Sequence, residues 1–457
     1  MTRRQTPFAI FFAALFLTWP ALLNRYPLLY PDSIGYMQDG RSVAAALFLH
    51  RSVDAMRSEF YSLGIFPFHW NLTPWPIVAL QALLTAYVLW LTIRSIVPNP
   101  TASLYLASTA LLGLFTTVSW YVSLLMPDIL GALVYLAIYL LLFARETLSR
   151  TESVLLSLLA IWGITAHATH LMLAAGLCAF LTVLFLLRWP PIAYRGRALA
   201  HIAALVAVAA AAQLSLHAFL YGHPSLSGNH PPYLMARIIA DGPGALYLQQ
   251  HCAGLNWAIC ADVGHLPNND DDFLWDPAGI WAAADEQTGQ RLLAEEMPLV
   301  RATLRAYPRQ QLTVSFANFT HQFNDFGVND FDNNTWMQNA LAGPLPSTHA
   351  QYLRSLQARS AVPSNFFTIL QRWVVILSAF VLAALLPYLI RHRRQRLLGL
   401  LAIVVPTLIA NAFVTAVLSS SDSRYQARII WLLPLSAILA LLEVLPTAQP
   451  LRAEGPR

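Results

Sequence analysis

Apolar stretches close to 20 residues long recur along the whole chain, separated alternately by short loops that carry Arg and by longer loops that carry acids. A run of about 20 apolar residues is what an α-helix needs to cross a bilayer, and in lipid each backbone polar group must find its partner within the protein. The pattern predicts an all-α polytopic membrane protein. Hydrophobic residues make up 57% of the chain and charged residues 11%, well under the roughly 25% charged content of soluble domains.

Spans are expected near 8–23, 76–93, 102–122, 128–143, 153–167, 169–187, 198–220, 366–390, 398–418 and 428–446, about ten transmembrane helices. Alternate loops hold Arg3 and Arg4, then Arg94, Arg145 and Arg150, Arg188, Arg195 and Arg197, the group from Arg391 to Arg396, and finally Arg452 and Arg457. Arg in short flanking loops marks the cytoplasmic side. Both termini are thus expected in the cytoplasm of a bacterial cell, with the chain in its inner membrane and residues 24–75 and 221–365 outside. Met1-Thr-Arg-Arg before the first apolar run looks like the start of a signal peptide, but no small-residue cleavage site follows, so that run is read as a retained helix. All 28 basic residues are Arg, which fits a high-GC codon bias or a chain suited to phosphate contact. The net charge of +5 comes from the inside loops and implies no nucleic-acid partner.

Three regions are expected: a membrane module of about seven helices over 1–220, a mainly helical or irregular extracytoplasmic segment over 221–365, and a second membrane module of about three helices over 366–457. In the first outer loop, an amphipathic interfacial helix from Gln38 to Phe60 leads to an aromatic, Pro-rich approach to the second span. The large outer segment carries Asp270, Asp271 and Asp272, a helix predicted from Asp285 to Tyr307, and an Asn- and Asp-rich stretch from Asn324 to Asn334. Cys252 and Cys260 lie close together in it, and an oxidising exterior would let them pair. Two reduced thiols are the alternative. Cys178 reads as a small residue buried in its helix, and no cysteine spacing matches a zinc site.

The residue types able to do chemistry fall on the outer face. Asp32 follows Pro31 just beyond the first span, and Asp128 follows Pro127 at the outer start of the fourth. His167 and His170 lie three apart where the fifth and sixth spans meet, and Arg424 and Tyr425 precede the last span. An Asp after Pro at a helix start is also an ordinary cap, which accounts for Asp128 as well as function does. Ser33 can cap in place of Asp32, which leaves Asp32, between Tyr30 and Tyr36, the stronger functional candidate. The His pair reads more readily as a polar turn than as a metal or phosphate site, and Arg424 reads equally as a group snorkelling to lipid headgroups.

With Asp32 and Tyr36 in the first outer loop, Pro127-Asp128 at the fourth span, His167 and His170 at a turn, and Arg424-Tyr425 before a helix containing Pro434, the chain resembles the GT-C superfamily of integral membrane glycosyltransferases. The resemblance covers mainly residues 1–190 and 398–440, and Ser33 stands where many members carry a second acid. It implies transfer of a sugar from a polyprenyl-phosphate lipid to an acceptor at the extracytoplasmic face. Asp32 and Asp128 would be the catalytic acids and Tyr36, His167, His170, Arg424 and Tyr425 would bind substrate. A divalent cation, Mg or Mn, would sit among Asp32, Asp128 and His167. A lipid phosphate is already a good leaving group, so one carboxylate suffices as general base where a glycosidase needs two, and inversion at the anomeric carbon follows. Two other classes fit a chain of this kind: a lipid-linked saccharide transporter or flippase, and a non-catalytic membrane-anchored assembly protein. A transporter favours repeats and midplane charges, whereas here there is no clear repeat and the charges gather at one edge.

Overall fold

The computed structural model describes residues 5–53, 55–188, 194–331 and 335–444. Arg3, Arg4, Arg452, Arg457 and the end of the Asn-rich stretch, Asn333 and Asn334, lie outside the described residues. Helix accounts for 75% of the described residues, and among them the sole extended pairing is a parallel bridge between Leu28 and Leu124. The chain divides into two units, Met1–Leu226 with Gly327–Leu408 and Ala427–Arg457, and Ser227–Phe326 with Ile409–Gln426.

The first nine long helices are α1 (Gln5–Leu17), α2 (Pro31–Leu49), α3 (Glu59–His69), α4 (Trp75–Ile96), α5 (Ala102–Phe115), α6 (Asp128–Phe143), α7 (Arg150–Thr165), α8 (Ala168–Leu186) and α9 (Gly196–Tyr221). After α10 (Tyr233–Ala240), α11 (Glu286–Ala306) and α12 (Pro308–Asn324) come α13 (Ser364–Arg391), α14 (Gln395–Leu418), α15 (Ser423–Ile430) and α16 (Leu432–Val444). Six helices are long and apolar enough to cross a membrane: α4, α8, α9, α13, α14 and the run Ser423–Val444 formed by α15 and α16. The protein is thus a helical, multi-pass membrane protein. The four other expected spans fall on α1, α5, α6 and α7, which have only 13 to 16 residues. Two of them are cut short by local chemistry: α1 gives way to a separate helix, Trp19–Asn24, with Pro20 in its first turn, and α5 stops where Thr116 turns extended.

Every residue of α6 is buried, which makes it the pillar of the first unit. It packs against α4, α7 and α9. Contact with α7 is close because Gly163 has no side chain: a Cβ there would lie 2.5 Å from Val134. The α7 start is fixed by Ser149 and Glu152, each accepting the other's backbone N–H.

The loop over 24–75 differs from the single amphipathic stretch expected over 38–60. It forms a helical hairpin in which α2 begins at Pro31 and ends at His50, whose left-handed φ of 53° breaks the helix, and α3 returns from Glu59. Gly40 brings the two helices together, since a Cβ there would come within 2.5 Å of the Ser62 carbonyl. Residues 327–365, expected with the outer segment, belong to the first unit. Gln357 shows why: its Nε2 donates to the Leu29 carbonyl at 2.6 Å and its Oε1 accepts the Leu29 N–H at 3.0 Å. That clamp fixes the backbone just ahead of Asp32.

In the second unit Met235, Ile239, Leu248, Phe273, Leu292 and Leu299 lie in one core. Cys252 and Cys260 are joined by a disulfide. Glu295 and Glu296 of α11 turn their carboxylates onto backbone N–H groups of Ala258 and Ile259 and of Leu234 and Met235. These otherwise orphaned helix-end donors are thereby satisfied.

Candidate active site

Asp32 occupies the first turn of α2. Pro31 presets the helical φ ahead of it, and Ser33 accepts the Tyr30 N–H at 2.9 Å, so Asp32 is not needed as a cap. Its carboxylate meets Arg57 Nη2 at 2.7 Å, with the two side chains 20% and 21% exposed. Arg57 reaches it by lying along α2 over Gly35, where a Cβ would come within 2.9 Å of Arg57 Cγ. One turn further, Asp39 accepts the backbone N–H groups of Met56 at 3.2 Å and Arg57 at 2.9 Å. Burial pushes the Asp39 carboxyl up to about 6, although these N–H groups and the Arg57 charge pull it down. Asp32, Gly35 and Asp39 thus share one helix face, and each has a part in holding Arg57.

Asp128 is in the first turn of α6, but it makes no capping bond. Its carboxylate lies 3.5 Å from Arg428 Nη1, both side chains almost wholly buried. Arg428 Nη2 donates to Thr169 Oγ1 at 3.2 Å, and Thr169 Oγ1 lies 2.8 Å from His167 Nδ1. The Thr169 N–H also donates to Nδ1, at 3.2 Å. With two donors aimed at it, Nδ1 is the bare nitrogen and His167 carries its proton on Nε2. His167 caps α8 rather than sharing a continuous helix with His170. His170 is sealed in the packing: Nδ1 faces the Gly163 carbonyl at 2.8 Å, and Nε2 is where a Gly131 side chain would be, without a hydrogen-bond partner among the described residues. It does not line an open site.

The backbone segments that present Asp32 and Asp128 are sewn together. Leu28 N–H donates to Ser123 O at 2.9 Å and Leu125 N–H to Leu28 O at 3.0 Å, while Ser33 Oγ donates to Leu125 O at 2.8 Å. Gln81 adds a second stitch, donating to the carbonyls of Val122 and Leu124 and accepting from Tyr61 Oη at 2.9 Å. Tyr36 is buried and packs edge-on against Tyr61, ring centres 4.9 Å apart. Burial raises the Tyr61 hydroxyl well above its usual range, with Tyr36 and the Asp128 charge adding to it. Glu59 at the start of α3 takes a hydrogen bond from Tyr221 and lies 3.1 Å from His217 Nε2, which ties the hairpin to α9.

Arg424 and Tyr425 belong to the second unit. The Arg424 guanidinium lies 5.0 Å from the Tyr425 ring centre, and its Nε is 3.8 Å from Asp422. Asp271 is in the same neighbourhood, its carboxyl raised by burial and by Asp270, Asp422 and Asp272, with Arg424 opposing. The arginine that meets Asp128 is Arg428, one helical turn after Arg424. Arg57, Asp39 and Arg428 were not singled out from the sequence. Arg428 stands in the same short segment as Arg424, but nothing local distinguishes the two.

Asp128 is engaged by Arg428 and His170 by the helix packing, and among the described residues no group of three or more His, Cys, Asp or Glu is arranged to hold a metal ion. Fold and site together define a multi-pass helical membrane protein with an accessible Asp–Arg pair joined by backbone to a buried one. No family model, no curated protein and no solved structure matches the chain.

Proposed function

We propose that the protein is a membrane glycosyltransferase that moves a sugar from a polyprenyl-phosphate lipid to an acceptor hydroxyl at the extracytoplasmic face of a bacterial inner membrane, with both termini in the cytoplasm. The observation that carries this reading is the partly exposed Asp32–Arg57 pair at 2.7 Å, a base and a phosphate-shaped cation side by side. The acceptor O–H gives its proton to Asp32 as its oxygen bonds to the anomeric carbon, and the bond from that carbon to the lipid phosphate breaks with its electrons on the phosphate. Arg57 is the group fitted to that developing charge, because its planar fork matches phosphate oxygens. While it rests on Asp32 it occupies the carboxylate. Its passage to the phosphate would free the base only when donor is bound. Asp128 and Arg428 then serve as the buried frame, and no step is derived through a cation.

The test uses purified protein and a polyprenyl-phosphate sugar labelled in the sugar. Wild type should transfer label, and Asp32→Asn should lose it by roughly 10²–10⁴-fold, the usual contribution of a general base. Near-normal transfer by Asp32→Asn would remove Asp32 from the chemistry.

A further inference from the structure

Helix α12 is built inside out. Gln311, Ser315 and Gln322, which recur at helical spacing, are buried, and Asn318 continues their row. The row is bound by hydrogen bonds: Gln311 and Asn318 donate to the two carboxylate oxygens of Asp241 at 2.7 and 2.8 Å, and Gln322 exchanges bonds with the backbone of Asp422. One position further along, at the same spacing, run Leu312, Phe316, Phe319 and Phe323. Leu312 and Phe316 are 68% and 66% exposed. A water-facing surface helix places its apolar stripe inward and its polar stripe outward, and an exposed ridge of large apolar side chains marks an interaction surface.

What covers the ridge is indicated by its neighbour. Phe319 packs against Phe413 of α14, ring centres 6.3 Å apart, and Phe413 is itself half exposed on a helix long and apolar enough to cross the membrane. Ridge and span therefore form one apolar surface within the second unit. Of the exposed polar side chains of α12, Gln310 and His321 lie about half a turn away from it, Thr313 and Asn324 about a quarter turn away, and Arg309 at its edge. We propose that α12 lies in the membrane interface, with Leu312, Phe316, Phe319 and Phe323 immersed in the acyl region of the leaflet that holds the C-terminal end of α14. This is the disposition of a monotopic amphipathic helix. The inference rests on the membrane-spanning helices and is independent of the proposed chemistry.

Spin labels on the full-length protein in phosphatidylglycerol–phosphatidylcholine vesicles test it. In a Cys178→Ser background, single substitutions Leu312→Cys, Phe316→Cys and Phe323→Cys are compared with Gln310→Cys and His321→Cys, all at exposed positions. On the ridge, relaxation by oxygen should exceed relaxation by a water-soluble nickel chelate several-fold, and the order should reverse at Gln310 and His321. Equal nickel access at both sets would mean that the ridge faces water, and shielding of the ridge from both reagents would mean that protein covers it. Either result overturns the proposal, and three ridge positions guard against one variant that fails to fold.

Discussion

Asp32 and Asp128 each follow a proline at the start of a helix, and what surrounds them gives them different work. Asp32 keeps a fifth of its surface, as does its partner, so removing its charge should cost the fold about 1–2 kcal/mol, between an exposed ion pair and a buried one. Asp128 is buried with Arg428. Asp128→Asn takes the carboxylate charge away from a buried guanidinium and should cost roughly 3–5 kcal/mol, whereas the double change Asp128→Leu with Arg428→Met should regain most of it. Thermal unfolding of the two single variants and the double variant checks both numbers. The Pro-Asp pattern was legible because a helix start is written in a few adjacent residues. The ion pairs were not, since Arg428 lies 300 positions from Asp128. A third residue, His69, bears on pH. Its Nδ1 accepts the Asn71 N–H, and burial lowers its pKa from 6.5 to about 4. The folded chain therefore takes up this proton less readily than the unfolded one, so the His69 contribution is intact above pH 6.5 and is lost as pH falls towards 4. Melting temperatures of wild type and His69→Gln should diverge over that window, wild type losing more; parallel curves would show that His69 does not titrate on unfolding.

Among the elements, the α2–α3 hairpin shows most clearly how local sequence positions chemistry. Gly35 is the position on α2 over which Arg57 must pass to reach Asp32. Gly35→Val should leave helical content unchanged while displacing Arg57, with glycosyl transfer falling to the level of Arg57→Ala. Circular dichroism with the labelled-donor assay tests this, and full activity in Gly35→Val would show that the Arg57 path is not needed. Periodicity alone gives one amphipathic stretch running through His50, because it does not reveal the left-handed residue that ends α2. The helix expected from Asp285 to Tyr307 falls close to α11, whose cap Asp285 is a local signal. Helix α12 is not among the expected elements, since an apolar stripe at helical spacing reads the same whether it faces a core or lipid.

Over the whole molecule, membrane class was legible from composition and run length, and each of the ten predicted segments contains a helix among the described residues. Their number as crossings was not, because hydropathy does not register the breaks at Thr18 and Thr116 that leave α1 and α5 short. Nor does hydropathy show which unit a segment joins: residues 327–365 go with the first unit through contacts such as Gln357 with Leu29. The proposed glycosyltransferase differs from a protein that moves or merely anchors a lipid in one respect, the transfer of a sugar. Sealed proteoliposomes carrying the protein and a polyprenyl-phosphate sugar labelled in the sugar, supplied with a panel of hydroxyl acceptors, put it to direct measurement. A glycosyltransferase should put label on an acceptor, release polyprenyl phosphate, and lose both activities with Asp32→Asn. Intact labelled donor crossing the bilayer without any transfer, or donor left unchanged and unmoved, would contradict it.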